Sequence, residues 1–69
     1  MRVRINGKDE VLSAASITVS EYLASKGVRP ETVAVELNLN VIPKADYPKV
    51  HLKEGDEIEI VRFVGGGAA

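Results

Sequence analysis

The chain has 69 residues, with nine basic and ten acidic side chains and a formal net charge of −1 at pH 7. A single domain of this length buries only about 60% of the surface of its unfolded chain, which leaves no room for a deep substrate cavity beside the core. The balanced charge, without a basic block, argues against a nucleic-acid partner. The absence of cysteine excludes disulfides, thiolate metal sites and a thiol nucleophile.

No stretch of the sequence is apolar over the length needed to cross a bilayer, and residues 1–4 lack the apolar core of a signal peptide. We therefore expect a cytoplasmic protein with no membrane partner. The single histidine, His51, has no clustered metal-ligand partner in the sequence, so it is predicted to be an ordinary surface or strand residue. No bound cofactor or metal is expected.

The first dozen residues are typical of a β-hairpin. Apolar and basic side chains alternate over residues 2–5, which indicates a strand with one buried and one solvated face. Asn6-Gly7 follows, a strong hairpin signal because both residues tolerate positive φ. Residues 11–12 are expected in the returning strand, and the segment from Ser13 to Ile17 is predicted to be a loop.

A capping box marks the start of one helix. Thr18 has the position of an N-cap, and Glu21 lies three residues later. The helix is expected to run from Val19 to Lys26, with Gly27 as a natural stop. Since proline resists continuation of a helix, Pro30 excludes a longer one.

The second half of the chain predicts three further strands joined by turns. The strands are expected at residues 33–38, 41–42 and 57–64, with turns at 38–40 and 53–56. Leu52 is predicted to be a buried anchor. This order of elements predicts an α+β fold, a mixed sheet with one main helix packed across one face and with the first and last strands side by side. That is the β-grasp, or ubiquitin-like, arrangement.

The chain ends in Gly65-Gly66-Gly67-Ala68-Ala69, directly after the last predicted strand. Three consecutive glycines cannot pack a core, and without Cβ atoms they form a thin segment that fits a narrow channel in another protein. We therefore divide the chain into a ubiquitin-like β-grasp domain over residues 1–64 and a flexible C-terminal tail over residues 65–69. A glycine carboxylate at the end of such a tail is unhindered and open to activation.

The last strand carries a second signal. If Ile58 and Ile60 point inward, strict alternation sends Val61 and Phe63 to the opposite face, after an acidic stretch. These two side chains are predicted to form an apolar docking patch for a protein partner beside the tail. The alternative is a bulge or an extended core that turns Phe63 inward.

Several segments together resemble a known family. They are Val3–Lys8, Val33–Asn38, Val41–Pro43, Leu52–Ile60 and Phe63–Gly67. In order and spacing they are similar to the ThiS family of sulfur carrier proteins of thiamine biosynthesis, and the resemblance covers the domain from its first strand to Gly67.

The resemblance implies a carrier without a catalytic site that acts as co-substrate of partner enzymes. An E1-like (ThiF-like) adenylyltransferase uses ATP to convert the terminal glycine carboxylate into an acyl-adenylate. Persulfide sulfur then displaces AMP to leave a thiocarboxylate, from which a thiazole synthase (ThiG-like) takes the sulfur. Gly67 is implied as the acyl-bearing residue, with Gly65 and Gly66 threading the channel. The family's working form ends in Gly-Gly, whereas this chain continues with Ala68 and Ala69. We expect a trimming protease to remove them; the alternatives are that the two alanines are not native or that this chain is not charged.

Other functions remain open at this point. The chain is also compatible with a related sulfur carrier for molybdopterin, cysteine or homocysteine synthesis that needs C-terminal trimming, or with a ubiquitin-like interaction or modifier module. An autonomous enzyme is disfavoured because paired carboxylates act as acid and base only inside a cleft. The acidic residues here are expected on the solvated surface, at Asp9, Glu10, Glu54, Asp56, Glu57 and Glu59.

Overall fold

A computed structural model describes residues 1–63 of the chain. It contains seven strands and one α-helix. They are β1 (Arg2–Ile5), β2 (Lys8–Val11), β3 (Ile17–Thr18), α1 (Val19–Ser25), β4 (Val33–Leu37), β5 (Asn40–Ile42), β6 (His51–Leu52) and β7 (Glu57–Arg62). Short 3₁₀ turns occupy Pro30–Thr32 and Lys44–Asp46.

Five of the strands form one mixed sheet in the order β2-β1-β7-β4-β5. The first and last strands, β1 and β7, pair in parallel, whereas the other neighbours in this sheet are antiparallel. The central strand is therefore the one that leads toward the C-terminus. This topology, with the helix on one face, confirms the predicted β-grasp arrangement.

Two left-handed turns set the register of the hairpins. Asn6 and Gly7 have φ of 51° and 81°, and Asn38 and Leu39 have φ of 50° and 72°. Positive φ at both central residues matches the right-handed twist of the flanking strands, so these two-residue connections join β1 to β2 and β4 to β5 without splaying them. The hairpin predicted at the N-terminus is confirmed.

The capping box predicted for the helix is present. The Glu21 amide donates to Thr18 Oγ1 at 3.0 Å, and the Thr18 amide donates to Glu21 Oε1 at 2.9 Å. The helix ends at Ser25 with Lys26 as its C-cap, and Gly27 follows at φ 70°. The predicted extent is thus confirmed to within one residue.

The core lies between the helix and the sheet. Its buried side chains come from α1, from the inner positions of four strands and from the segment before β6. They are Val3, Val19, Tyr22, Leu23, Val33, Val35, Tyr47, Leu52 and Ile58. Burying a large apolar side chain stabilises a fold by about 1.5–3 kcal/mol. Leu52 is a buried anchor, as predicted.

The structure corrects several sequence expectations. The predicted loop ends too late, because Ile17 pairs with Leu52 in a small antiparallel sheet formed by β3 and β6. Asp56 is buried at 6% exposure rather than solvated, because its carboxylate accepts hydrogen bonds from the Lys53 amide and the Asn38 carboxamide.

Within residues 1–63, no helix has the length and apolar character needed to span a membrane.

The predicted boundary between the β-grasp domain and the tail, between residues 64 and 65, lies outside the described residues. The last strand is shorter than expected, since β7 ends at Arg62.

Candidate docking surface beside the tail

The outer face of β7 changes from acidic to apolar along the strand, as predicted. Glu57 and Glu59 are exposed, and they are followed on the same face by Val61 at 56% exposure and Phe63 at 49%. Phe63 therefore does not turn into the core, and the alternative of an inward ring is wrong. Ala34 of β4 lies directly opposite Val61. We call Ala34, Val61 and Phe63 the docking surface.

Phe63 is held in place from two directions. Its amide donates to the Thr32 carbonyl at 2.9 Å, which continues the β4–β7 pairing one residue past the strand. The Lys44 ammonium lies 5.1 Å from the ring centroid, within the range of a cation–π interaction. Lys44 also reaches the Glu31 carbonyl at 3.5 Å. The ring is thus exposed on one side and positioned on the other.

The acidic part of this face contains a like-charge pair. Glu36 and Glu59 are direct cross-strand partners, and Val41 lies opposite Glu36 on β5 at 70% exposure. Within residues 1–63, no ion pair involves either carboxylate. Like charges directly opposite each other destabilise a sheet. The outer face therefore has acidic and apolar patches side by side.

Two asparagines form hydrogen bonds to the central strand β7, one from each side of it. The Asn6 carboxamide accepts from the Ile60 amide at 2.7 Å and donates to the Ile60 carbonyl at 3.3 Å. The Asn38 carboxamide accepts from the Glu57 amide at 3.0 Å and donates to Asp56 Oδ1 at 3.0 Å. In the sequence, both asparagines are recognisable only as turn residues. Their left-handed positions were predictable, but their bonding partners on β7 were not.

A separate polar cluster joins the first hairpin to the helix. The Tyr22 hydroxyl donates to Glu10 Oε1 at 2.8 Å, and Lys26 forms an ion pair with the same carboxylate. The hydrogen bonds from Lys26 and Tyr22 lower the pKa of Glu10, while burial and then the Glu10 carboxylate raise the pKa of Tyr22. Glu10 lies opposite Val3, on the helix side of the sheet, so the cluster does not belong to the docking surface. The expectation that Glu10 lies on the solvated surface is therefore wrong, because Tyr22 and Lys26 partly cover its carboxylate.

No arrangement within residues 1–63 suggests catalysis or metal binding. His51 is exposed on β6, and its Nδ1 lies 2.9 Å from Ser16 Oγ. No group of three or more candidate ligand side chains is close enough to hold a metal in this part of the chain. One open depression of about 250 Å³ lies beside the end of β7, lined in part by Asn6, Lys26, Ile60 and Arg62.

The residues predicted to carry the chemistry lie outside the described residues. Gly67 as the acyl-bearing residue, and Gly65 and Gly66 as the threading residues, therefore stay predictions. The described chain leads to them through β7 and Phe63. The two predicted docking residues, Val61 and Phe63, are brought together on the surface nearest to this exit, while their role in docking is a proposal.

Comparison with known proteins gives consistent relatives. The model of the ThiS family matches residues 2–67. The sulfur carrier protein ThiS of Bacillus subtilis is 42% identical over 65 residues, a match that spans 94% of this chain and 98% of that protein. A thiazole synthase of Paramagnetospirillum magneticum is 46% identical over 68 residues, but the match spans 99% of this chain and only 21% of that protein.

A solved structure has the same fold. The crystal structure of the thiamine biosynthesis protein ThiS of Geobacter metallireducens superimposes with a TM-score of 0.86 at 36% identity, covering 97% of this chain and 100% of that one. The family match extends over the first strand, the docking surface and the three glycines. The chain belongs to the ThiS family.

Proposed function

We propose that this protein is a sulfur carrier of thiamine biosynthesis, whose Gly67 carboxylate is adenylated and converted to a thiocarboxylate. The observation that carries the proposal is the match to the sulfur carrier of B. subtilis, which spans 98% of that protein. The exposed Val61 and Phe63 beside the exit toward the glycines support a role in which partners grip the domain and act on the tail.

The chemistry suits a chain without cysteine. A carboxylate is a poor electrophile until adenylation by ATP gives it a good leaving group. The terminal sulfur of a persulfide donor then attacks the acyl carbon, and AMP departs to leave an acyl disulfide. A thiol attacks the donor's sulfur in this S–S bond, so that the donor and the thiol form a disulfide and the thiocarboxylate is released. The sulfur is held on the main-chain carboxyl itself, so no side-chain thiol is needed.

The relatives support a thiazole synthase as the sulfur acceptor. The thiazole synthase of P. magneticum contains a segment that aligns with 99% of this chain, and that polypeptide is about five times as long as this chain. Covalent linkage of two domains raises their effective concentration for each other, which is useful when one acts on the other. We propose that this chain acts as a co-substrate of a thiazole synthase.

Binding of a partner to the docking surface offsets part of the free-energy cost of fixing the glycines in a channel. Three glycines reach roughly 10 Å when extended. Fixing each residue in a channel costs about 1–2 kcal/mol. Burying the exposed half of the Phe63 side chain in a pocket of the partner, together with Val61, offsets part of this cost.

The first test concerns the end of the chain. We expect the form ending at Gly67 to be charged by an E1-like adenylyltransferase with ATP and a persulfide donor, because its terminal glycine carboxylate can reach the nucleotide. Intact mass spectrometry measures the replacement of one oxygen by sulfur. The matched controls are the chain ending at Ala69 and a chain ending at Gly65, which we expect to remain uncharged. Equal charging of all three forms contradicts the assignment of Gly67.

The second test concerns the docking surface. Phe63→Asp places a charge where an apolar contact is proposed, so we expect binding to the adenylyltransferase to weaken by about tenfold or more. Leu39→Asp is the matched control, since Leu39 is 85% exposed in the β4–β5 turn, near the start of β7. Titration calorimetry measures both variants. Unchanged affinity in a folded Phe63→Asp variant excludes this surface.

A further inference from the structure

The end of β7 that leads to the tail loses one of its two neighbouring strands. β1 pairs with β7 only at Glu57 and Ile58, whereas β4 continues beside β7 as far as Arg62. In the part of the chain that the structure describes, residues 60–62 of β7 are therefore flanked by a strand, β4, on one side only. A strand segment paired on a single side is more easily displaced than one paired on both.

The Asn6 side chain takes the place of the missing strand. The Asn6 amide donates to the Ile58 carbonyl at 2.8 Å, which is the last main-chain bond between the two segments. The Asn6 carboxamide then makes two hydrogen bonds to Ile60, the next residue of β7 whose main chain faces this side. It accepts from the Ile60 amide at 2.7 Å and donates to the Ile60 carbonyl at 3.3 Å. The carboxamide thus reproduces the donor and acceptor of a further strand residue.

We propose that Asn6 is a positioning residue for the tail, a role that rests on the proposed function. Ile60 directly precedes the segment that carries Val61 and Phe63. With Ile60 held by both Asn6 and β4, the docking surface and the direction of the exit are fixed before a partner arrives. Without the Asn6 side chain, the partner has to order this segment during binding, and the free energy that this requires weakens the affinity.

The chain offers a matched control for this residue. Asn38 also occupies the first left-handed position of a two-residue turn, and its carboxamide also bonds to a main-chain amide of β7. Its partner, Glu57, lies at the opposite end of the strand, far along the chain from the exit. Glycine adopts positive φ without strain, so Asn6→Gly and Asn38→Gly each remove the carboxamide and keep the turn.

The experiment compares these two variants as chains ending at Gly67, at a temperature where circular dichroism shows both to be folded. For Asn6→Gly we expect amide hydrogen exchange at Ile60 to accelerate at least about tenfold. In ATP-dependent charging we expect its KM to rise about tenfold with kcat within about twofold, because ground state and transition state lose the same binding energy. Asn38→Gly is expected to keep its KM within about twofold of the unchanged sequence.

Asn6→Asp supplies the conservative variant. Its carboxylate still accepts from the Ile60 amide, so both the exchange protection and the KM are expected to lie closer to those of the unchanged sequence than to those of Asn6→Gly. Equal KM values for Asn6→Gly and Asn38→Gly, or unaltered exchange at Ile60, overturn the positioning role. If the unchanged sequence ending at Gly67 is not charged at all, the proposed function fails first, and that result is distinct from a failure confined to Asn6→Gly.

Discussion

Glu36 and Glu59 face each other across β4 and β7 on the exposed side of the sheet. Their repulsion is a local cost, and it is reduced by neutralising either partner. We expect Glu59→Gln to stabilise the fold by about 0.5 kcal/mol at low salt, which corresponds to a rise in Tm of about 2–4 °C for a domain of this size. Differential scanning calorimetry checks this.

The matched control for that substitution lies on the same strand and the same face. Glu57 is the cross-strand partner of Arg4 rather than of another carboxylate. Glu57→Gln is therefore expected to be neutral or slightly destabilising. High salt should narrow the difference between the two variants, because exposed charges are screened. Identical shifts in Tm for Glu59→Gln and Glu57→Gln contradict the idea that the cross-strand partner determines whether the substitution stabilises or destabilises the fold.

Between elements, a cluster of hydrogen-bonded side chains links β2 to α1. The pKa of Glu10 is lowered from 4.5 by its hydrogen bonds to Lys26 and Tyr22. Because the folded-state pKa is the lower one, the link contributes stability that is fully present above pH 4.5 and is lost as the pH falls through the folded pKa. We expect its contribution to be about 1 kcal/mol, since Lys26 is half exposed.

Urea unfolding at several pH values measures this link. Between about pH 6 and about pH 3, the free energy of unfolding should fall more steeply for the unchanged sequence than for Glu10→Gln, and the two curves should converge at the acidic end. Parallel curves would show that the cluster contributes no pH-dependent stability. The pKa of the exposed Glu31 is also lowered, first by its own backbone amide, but that group is common to both chains and cancels in the comparison.

The elements that were predictable from sequence are those encoded by neighbouring residues. The Asn6-Gly7 turn and the capping box at Thr18 each depend on two to four adjacent positions, and both were confirmed. The β3–β6 pair was missed because each strand has only two residues and depends on a partner far along the chain. Burial of Asp56 was missed for the same reason, since the Asn38 carboxamide that satisfies it comes from another hairpin.

The candidate site divides in the same way. Exposure of Val61 and Phe63 followed from strict alternation along one strand, which a sequence displays directly. The bond between Asn6 and Ile60 joins residues 54 positions apart, and nothing local to either one indicates it. The residue proposed here to position the tail was therefore visible in the sequence only as a turn former.

At the scale of the whole molecule, the two faces of the sheet have different environments. One face packs against α1 and contains the core, and the other carries exposed charged and apolar side chains of β7, β4 and β5. The fold thus leaves a broad surface beside the exit toward the three glycines. Such a division suits the carrier role proposed above.

The parallel pairing of β1 with β7 also has a mechanical consequence. A pull on the chain beyond Phe63 first loads the bonds of β7 to β4 and to the Asn6 side chain, and from Ile58 inward it loads hydrogen bonds to both β1 and β4 in shear. If an enzyme draws the end of the chain into a channel, as proposed above, the force therefore meets the inner, doubly paired part of β7 before it reaches the core of the domain.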